Sequence, residues 1–315
     1  MTRAILFPGQ GSQYPGMGRE MADSFIEARH VFEEVDEVLK QKLSQIIFSG
    51  QPEELALTEN TQPALMAVSL AILRVLEKQG KLKIRDIAAY VAGHSLGEYS
   101  ALTAAESFTL ADSARLLRIR GKAMQQAVPK GQGGMVVLLG ADLDLARKIA
   151  AEAAAGDICQ AANDNSPGQV VLSGSTEAIA RVAGIATGHG VKRTVSLPVS
   201  APFHSELMAP AAKTMQEALA NVEIKSPSLP LIANVTAMET SSPSEIRRLL
   251  VEQVTGMVRW RESVVYMENK GVDNIVEIGA GSVLSGLTKR SSAKIATISL
   301  ERPADIEKFL ESLIL

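Results

Sequence analysis

Short apolar runs alternate with longer segments of helical periodicity in the first third of the chain. Residues 4–7 form an apolar run that ends at a proline and a glycine, which predicts a first strand. Apolar residues then recur at helical spacing over about 21–43 and over 61–78. The unbroken run 87–92 predicts a second, buried strand, and the segment 99–105 is compatible with an alanine-rich helix. This alternation predicts an α/β fold with a mainly parallel sheet.

The middle of the chain has the pattern of a second, smaller domain. Residues 129–134 are rich in glycine and are typical of a linker. The elements predicted after it are a strand at 135–139, a helix at 142–155, a strand at 158–162, a turn at 163–168, a strand at 169–173, a helix at 176–189 and a strand at 192–198. This βαββαβ order is the ferredoxin-like pattern, and its length of about 70 residues is enough for a small domain.

The α/β alternation resumes after this segment, with strand-like stretches at 229–234 and 274–278. We therefore expect an α/β-hydrolase-like large domain with a parallel sheet, made of residues 1–128 and 199–315. Residues 129–198 are expected to form a ferredoxin-like small domain inserted into it.

The composition favours a globular protein over a nucleic-acid-binding or membrane-spanning one. With 46% hydrophobic and 21% charged residues, the chain has an ordinary globular composition and ample material for a core. The net charge of −3 and the lack of a basic stripe with interleaved aromatics argue against a nucleic-acid partner. No apolar run approaches the about 20 residues that span a bilayer, and the N-terminal run is too short for a signal peptide. We expect a soluble cytoplasmic protein, with a monomer as the default state.

Few features of the sequence favour a metal or a nucleotide. The single cysteine, Cys159, excludes an internal disulfide and a cysteine-rich metal site, and we expect it to be a small buried hydrophobe. No metal-ligand spacing occurs. The cluster Gly279-Ala280-Gly281 follows a strand, but position 284 is Leu284 where a dinucleotide-binding loop has a third glycine.

The most specific local pattern is Gly93-His94-Ser95-Leu96-Gly97, which lies between a predicted strand and a predicted helix. A Gly-x-Ser-x-Gly run in that position is the signature of a nucleophile elbow. The glycines leave room for a tight turn that exposes the Ser95 hydroxyl and aims free N–H groups of the next helix at the same space. The alternative is an ordinary tight turn with an exposed serine.

A serine nucleophile needs a base, and the chain has four histidines. His30 lies in a charged helix and is expected to be solvated, and His189 lies at the expected end of a helix, where capping explains it. The side chain of His94 should point away from that of Ser95, although it could line the same pocket. His204 remains, in a loop held stiff by two prolines, and it follows Ser95 as in α/β-hydrolases. No acid for a triad is evident, and a backbone carbonyl could serve instead.

Arg120 falls on the apolar face of the helix predicted over 110–124, whereas Arg115 and Arg118 lie elsewhere on the helix and are expected to be solvated. A charge on a core-facing stripe is costly unless an anion pairs with it. One interpretation is an internal salt bridge. The other is a bidentate contact with a substrate carboxylate, as in a dicarboxylic half-thioester.

Several motifs together resemble one known family. The chain is similar, from residue 1 to about 290, to the malonyl-CoA:acyl carrier protein transacylases of type II fatty-acid synthesis. The motifs are Phe7-Pro8-Gly9-Gln10-Gly11-Ser12-Gln13, Gly93-His94-Ser95-Leu96-Gly97-Glu98, Arg118-Ile119-Arg120-Gly121-Lys122, Asn165-Ser166-Pro167-Gly168-Gln169 and Phe203-His204.

The resemblance implies a role for each part of a catalytic site. Ser95 would carry the malonyl ester, His204 would be its base and then its acid, and the backbone carbonyl of Gln253 would orient His204. The backbone N–H groups of Gln10 and Leu96 would form the oxyanion hole.

It also implies how the substrate is bound. Arg120 would hold the malonyl carboxylate, Asn165 would lie near the substrate, and Phe203 resembles the residue of malonyl-selecting members. His94 is a further candidate for the pocket. Many members have Asn-Pro-Val where this chain has Gly256-Met257-Val258, so we expect a small loop difference near Gln253.

The implied activity is ping-pong transfer of malonyl from malonyl-CoA to the phosphopantetheine thiol of acyl carrier protein, with no cofactor. Three alternatives stay open. They are a serine hydrolase such as a thioesterase, a non-catalytic module that binds a carrier protein, and a stand-alone acyltransferase of a polyketide synthase.

Overall fold

The computed structural model describes residues 1–199 and 201–314, so Ser200 in the predicted His204 loop lies outside the described residues. The strands of the described chain are β1 (Arg3–Phe7), β2 (Tyr90–Gly93), β3 (Gly133–Leu139), β4 (Cys159–Ser166), β5 (Gln169–Ser175), β6 (Arg193–Ser196), β7 (Leu231–Ile232), β8 (Glu239–Thr240), β9 (Asn274–Ile278) and β10 (Ala296–Leu300).

The helices of the same residues are α1 (Arg19–Ser24), α2 (Ile26–Leu39), α3 (Leu43–Ser49), α4 (Pro52–Leu55), α5 (Thr58–Gly80), α6 (Ile84–Ile87), α7 (Gly97–Ala104), α8 (Leu110–Gln126), α9 (Leu143–Ala154), α10 (Thr176–Gly188), α11 (Ala209–Ala220), α12 (Pro243–Thr255), α13 (Trp260–Asn269), α14 (Val283–Ser291) and α15 (Pro303–Ile314). None of the described helices is long and apolar enough to cross a membrane.

Two separate sheets organise the fold. The large sheet has the order β10-β9-β1-β2-β7-β8, and its strands pair in parallel except for the edge hairpin β7–β8. The small sheet is antiparallel in the order β4-β5-β3-β6, which is the ferredoxin-like arrangement of a βαββαβ segment. The predicted fold class, an α/β-hydrolase-like sheet with a ferredoxin-like insertion, is therefore confirmed, while the domain boundaries stay a prediction.

The core of the large sheet lies around β1 and α5. Residues Ala4, Ile5, Leu6 and Phe7 of β1 are fully buried, as expected for a central strand covered on both faces. The periodicity predicts one apolar side for the helix over 61–78, but α5 is buried on nearly all sides, including Thr61, Gln62 and Ser69. A helix that is enclosed all round sits inside the fold, and its polar residues must then find partners there.

Three predicted elements have different bounds. The single helix predicted over 21–43 is broken at Phe25, whose backbone is extended, and at Lys40, which is left-handed with φ 50°. The strand predicted over 87–92 begins only at Tyr90, because α6 precedes it. The turn predicted over 163–168 is largely strand β4, which continues to Ser166. Pairing with β5 outweighs the turn propensity of these polar residues. The register of this pairing shifts between Ala161 and Asn163 and again between Asp164 and Ser166, as in a β-bulge.

Strand β4 also makes backbone contacts outside the small sheet. The backbone of Val258 donates to the carbonyl of Ala162 at 2.9 Å and accepts from the N–H of Asp164 at 2.9 Å. Arg261 and the buried Asp164 form an ion pair of 2.8 Å beside this bridge. The small sheet is therefore hydrogen-bonded to the segment between α12 and α13.

Candidate active site

The sharp turn between β2 and α7 exposes Ser95. Ser95 has a left-handed backbone with φ 54°, which is uncommon for a non-glycine residue and typical of a strained functional position. A Cβ atom on Gly93 would lie 1.9 Å from the Gly97 carbonyl oxygen, and one on Gly97 would lie 2.3 Å from the Phe7 carbonyl oxygen. Both glycines of the motif are therefore required by close backbone packing, as a nucleophile elbow demands.

Asn234, just past the end of β7, holds the turn in place. Its Oδ1 atom accepts the Ser95 backbone N–H at 2.7 Å, and its Nδ2 group donates to the Gly93 carbonyl at 2.7 Å. One buried amide side chain thus satisfies two polar backbone groups of the elbow. The Ser95 N–H is thereby occupied, so it is not free to bind a substrate oxygen.

Ser95 and His204 are in direct contact. The Ser95 Oγ atom lies 2.8 Å from Nε2 of His204. The Nδ1 atom of His204 lies 2.8 Å from the carbonyl oxygen of Gln253 and 3.2 Å from that of Gly256. Because carbonyl oxygens only accept, Nδ1 carries the proton, which leaves Nε2 free to take one from Ser95. Burial, and next the charge of Arg120, lower the pKa of His204 to about 3, so the imidazole is neutral at pH 7.

Arg120 is buried beside the serine. Its Nη2 atom donates to Ser95 Oγ at 3.0 Å and to Oε1 of Gln253 at 2.8 Å, and its Nη1 atom donates to Oε1 of Gln62 at 2.9 Å. Its Nε atom has no hydrogen-bond partner among the residues that the structure describes. Within residues 1–199 and 201–314, no carboxylate forms an ion pair with Arg120, which argues against an internal salt bridge. Burial lowers the pKa of Arg120, and the nearby Tyr99 and Glu98 side chains oppose this shift.

The neighbouring Arg118 differs from its prediction. It is half-buried, not solvated, and donates to Asn60 at 2.9 Å and to Gln41. Arg115 is exposed as predicted, and so is His30. His189 lies at the end of α10, where its Nε2 atom contacts Glu152 at 3.0 Å. Cys159 is buried, and burial raises the pKa of its thiol to about 11.

A cavity of about 100 Å³ opens beside the serine. Its lining residues are Gln10, Gln62, His94, Ser95, Arg120, Met124, Met135, Asn163, Leu197, Val199, Phe203 and His204. From the predicted set, the lining includes Gln10, His94, Ser95, Arg120, Phe203 and His204. The rest of that set, Leu96, Asn165 and Gln253, contacts these residues or adjoins them in the chain.

Asn165 acts on the cavity through His94. Its Oδ1 atom lies 2.9 Å from Nε2 of His94, and the indole of Trp260 packs against the same imidazole with ring centroids 5.5 Å apart. Burial lowers the pKa of His94, so this ring is neutral too. The residue of β4 that lines the cavity is Asn163, two positions before Asn165.

The backbone N–H groups of Gln10 and Leu96 donate no hydrogen bond to any described residue. Leu96 immediately precedes α7, where the first N–H groups of a helix lack internal partners. Two free donors near a serine are what an oxyanion hole requires. No group of histidine, cysteine or carboxylate side chains among the described residues is placed to hold a metal ion.

Sequence reasoning missed four polar residues of the site, one of which is Asn163 of β4 in the cavity lining. Gln62 is enclosed in α5, Asn234 follows a two-residue strand, and Glu98 lies in the first turn of α7. The carboxyl of Glu98 is fully buried, and this burial raises its pKa to about 8. A polar residue at the end of the strand predicted over 229–234 is the available signal for Asn234. For Gln62 and Glu98, the pattern of the sequence alone does not distinguish a buried from a solvated side chain.

Residues 5–302 match the family model of the acyl transferase domain. The malonyl CoA-acyl carrier protein transacylase of Bacillus subtilis is 42% identical over 98% of this chain and 96% of its own length. The enzyme of the same name from Escherichia coli K12 is 41% identical, with 98% of each chain covered. An acyl-carrier-protein S-malonyltransferase structure from Bartonella henselae has 50% identity and a TM-score of 0.97 over 100% of both chains.

A further solved structure contains a malonyl-transacylase in complex with a type II polyketide synthase acyl carrier protein. It has 40% identity and a TM-score of 0.95, and it covers 99% of this chain and 100% of that one. Relatives of this identity extend over nearly the full length, and they share the whole fold. The chain therefore belongs to the malonyl-CoA–acyl carrier protein transacylase family of acyl transferases.

Proposed function

We propose that the protein transfers the malonyl group from malonyl-CoA to the phosphopantetheine thiol of acyl carrier protein, through an ester on Ser95. The observation that carries this proposal is the buried guanidinium of Arg120, 3.0 Å from Ser95 Oγ and without a carboxylate partner among the described residues. An acyl group that ends in a free carboxylate would complete this charge, since an arginine fork binds a carboxylate through two parallel hydrogen bonds.

In the first half-reaction, His204 Nε2 takes the proton of Ser95 Oγ, and Oγ attacks the thioester carbonyl carbon of malonyl-CoA. The tetrahedral intermediate collapses, the carbon–sulfur bond breaks, and the proton on His204 passes to the departing CoA thiolate. The product is malonyl-Ser95 and free CoA. The 2.8 Å contact between Oγ and Nε2 supports this proton transfer.

The oxyanion of each tetrahedral intermediate needs two hydrogen-bond donors. The N–H groups of Leu96 and Gln10 serve this role, while the Ser95 N–H is held by Asn234. Donors fixed by the fold stabilise developing charge without reorganising during the reaction.

In the second half-reaction, the phosphopantetheine thiol of the carrier protein gives its proton to His204 and attacks the malonyl ester. The ester bond to Oγ breaks, and Oγ recovers the proton from Nε2. Bond making and breaking balance with malonyl-CoA and holo carrier protein alone, so the proposal requires no cofactor. The Gln253 carbonyl, 2.8 Å from Nδ1, keeps Nε2 directed at Ser95 through both halves.

A second candidate is malonyl transfer to the carrier protein of a type II polyketide synthase. It is favoured by the structural match to a malonyl-transacylase bound to such a carrier protein. The chemistry at Ser95 is the same in both, so the two differ only in the carrier-protein thiol that accepts the malonyl group. Transfer rates to a fatty-acid and to a polyketide carrier protein, measured side by side, distinguish them.

The experiment that tests the main proposal is intact-protein mass spectrometry after mixing with malonyl-CoA. The wild type and the exposed control Ser241→Ala should each gain one malonyl group, and Ser95→Ala should gain none. A malonyl adduct on Ser95→Ala would refute the nucleophile.

The same sample tests the hydrolase alternative. CoA release beyond one equivalent should require holo acyl carrier protein. Steady turnover without a carrier protein would instead identify a thioesterase.

A further inference from the structure

Glu98 lies behind the cavity and contacts Gln253 and Asn234, two residues that hold the catalytic groups in place. Its Oε2 atom accepts a short hydrogen bond from Nε2 of Gln253 and a long one, 3.4 Å, from the backbone N–H of Asn234. The side chain does not line the cavity and, at 1% exposure, does not reach solvent. The hydrogen bonds of Glu98 therefore reach the site through Gln253 and Asn234, and its charge state also affects Arg120.

Gln253 connects Glu98 to the base and to the arginine. Its Nε2 group also donates to the Ser95 carbonyl at 2.9 Å, its Oε1 atom accepts from Arg120 at 2.8 Å, and its backbone oxygen faces His204. This pattern requires one orientation of the amide, with the oxygen toward Arg120 and the nitrogen toward Glu98. An amide flip would place donors of Gln253 and Arg120 against each other. An acceptor at position 98 therefore adds to Arg120 and the Ser95 carbonyl in favouring the working orientation.

Asn234 connects Glu98 to the nucleophile. The backbone N–H of Asn234 donates to Glu98, and the side chain of the same residue accepts the Ser95 N–H and donates to the Gly93 carbonyl. We propose that Glu98 is a positioning residue that, by accepting from Gln253 and Asn234, aligns Ser95, His204 and Arg120 with one another. This inference rests on the proposed function for the role of Arg120, but not for the pairing of Ser95 with His204.

Burial raises the pKa of Glu98 to about 8, against the opposing hydrogen bonds of Gln253 and Asn234 and the charge of Arg120, which favours the neutral carboxyl group at pH 7. Both donors to Glu98 are uncharged amides, and no cation forms an ion pair with it within the described ranges. A carboxylate here would be costly to bury and would compete with substrate for Arg120. A neutral acceptor of the same shape should therefore replace Glu98, and an apolar side chain should not.

The test compares Glu98→Gln with Glu98→Leu, which fills the space without an acceptor. The first measurement is the rate of Ser95 phosphonylation by a fluorophosphonate probe, per folded molecule, which reports the Ser95–His204 pair without malonyl-CoA. The second is the ratio of malonyl to acetyl transfer from the CoA thioesters, which reports Arg120. The matched control is Glu277→Gln, because Glu277 is a second buried carboxyl that accepts N–H groups of Leu284 and Ser285 outside the site.

Glu98→Leu should slow phosphonylation about 10- to 100-fold, since small misplacements of reacting groups have effects of that size, and it should lower the malonyl preference. Glu98→Gln should stay within about threefold of the wild type in both, and Glu277→Gln should change stability alone. A folded Glu98→Leu variant with wild-type phosphonylation would overturn the proposal. A folded Glu98→Gln variant whose phosphonylation is tenfold slower than that of the wild type would also overturn it. If Glu98→Leu does not fold, the rate of Glu98→Gln alone decides the proposal.

The two readouts separate this inference from the proposed function. If the wild type forms no malonyl ester but the phosphonylation contrast holds, the proposed function fails and the alignment by Glu98 stands. If the malonyl ester forms and phosphonylation is equal in all variants, the proposed function stands and the alignment by Glu98 fails.

Discussion

Asn234 accepts the backbone N–H of Ser95 at 2.7 Å, although 139 positions separate the two residues in the chain. The strained φ of 54° at Ser95 persists because the surrounding structure supports it, and Asn234 is the side chain that does so on both flanks of the turn.

Removal of this amide should disturb the elbow. Asn234→Ala leaves the buried Ser95 N–H and Gly93 carbonyl without partners, and we expect a loss of about 1–3 kcal/mol in the free energy of unfolding. We also expect about 10- to 100-fold slower malonylation of Ser95. Chemical denaturation and rapid-quench mass spectrometry measure the two effects. The control is the exposed Asn221→Ala, and equal rates in both variants would show that the elbow supports itself.

Arg120→Ala should change which acyl group is transferred. It removes the cation that we expect to bind the malonyl carboxylate, so kcat/KM for malonyl-CoA should fall about 100-fold, equivalent to about 2.7 kcal/mol. Acetyl transfer should fall much less, because acetyl has no carboxylate. Arg115→Ala, an exposed arginine of the same helix, should leave the malonyl-to-acetyl ratio unchanged. The carboxylate contact is refuted if the ratio is the same in all three proteins.

The pH dependence of activity should reflect the buried base. The pKa of His204 is about 3 in the folded protein, so Nε2 remains a free acceptor well below the ordinary value of 6.5. We expect the rate of Ser95 malonylation to lack an acid limb with a midpoint near 6.5. Single-turnover rates between pH 5 and 8 check this, and a fall centred near 6.5 would contradict it.

Stability should respond to pH in two opposite directions. The unfolded chain binds more protons at His204 between about 3 and 6.5, so this residue costs stability as pH falls through that window. The folded chain binds more protons at Glu98 between 4.5 and about 8, so this residue costs stability as pH rises through that window. Urea midpoints at pH 6 and pH 9 should therefore differ less in Glu98→Gln than in the wild type. Parallel shifts would show that Glu98 is not protonated in the fold.

Gly97→Ala should destabilise the protein strongly. Its Cβ atom would lie 2.3 Å from the Phe7 carbonyl oxygen and 2.8 Å from that of Pro8, and backbone at the centre of the sheet has little room to shift. We expect a loss of at least about 2 kcal/mol in the free energy of unfolding. Gly184→Ala is the control, because it lies exposed in α10 with no atom within 4 Å of its Cβ and should gain about 0.5–1 kcal/mol. Similar midpoints for the two variants would contradict the packing argument.

Local pattern accounts for much of the fold and for the centre of the site. The glycines around Ser95 identify the elbow because a Gly-x-Ser-x-Gly run in that context has few other uses, and the position of Arg120 on an apolar helix face predicts its burial. The βαββαβ order predicts the small sheet, because each of its elements carries its own periodicity.

The parts that local pattern misses depend on distant partners. Residues 163–166 have the composition of a turn, yet they form strand because β5 and Val258 pair with them. The helix predicted over 21–43 is interrupted at Phe25 and at Lys40, and the apolar periodicity continues across both positions without a signal for either break. Gln62 and Glu98 are polar residues on helices, and only the assembled fold shows that their partners are Arg120 and Gln253.

The backbone bridge at Val258 links cleft geometry to catalysis. Val258 is hydrogen-bonded to the small sheet, and five residues before it Gln253 presents the carbonyl that orients His204. The position of strand β4 and the orientation of His204 are therefore coupled through five residues of backbone. A displacement of β4 relative to α12 would change the acceptor that holds the imidazole.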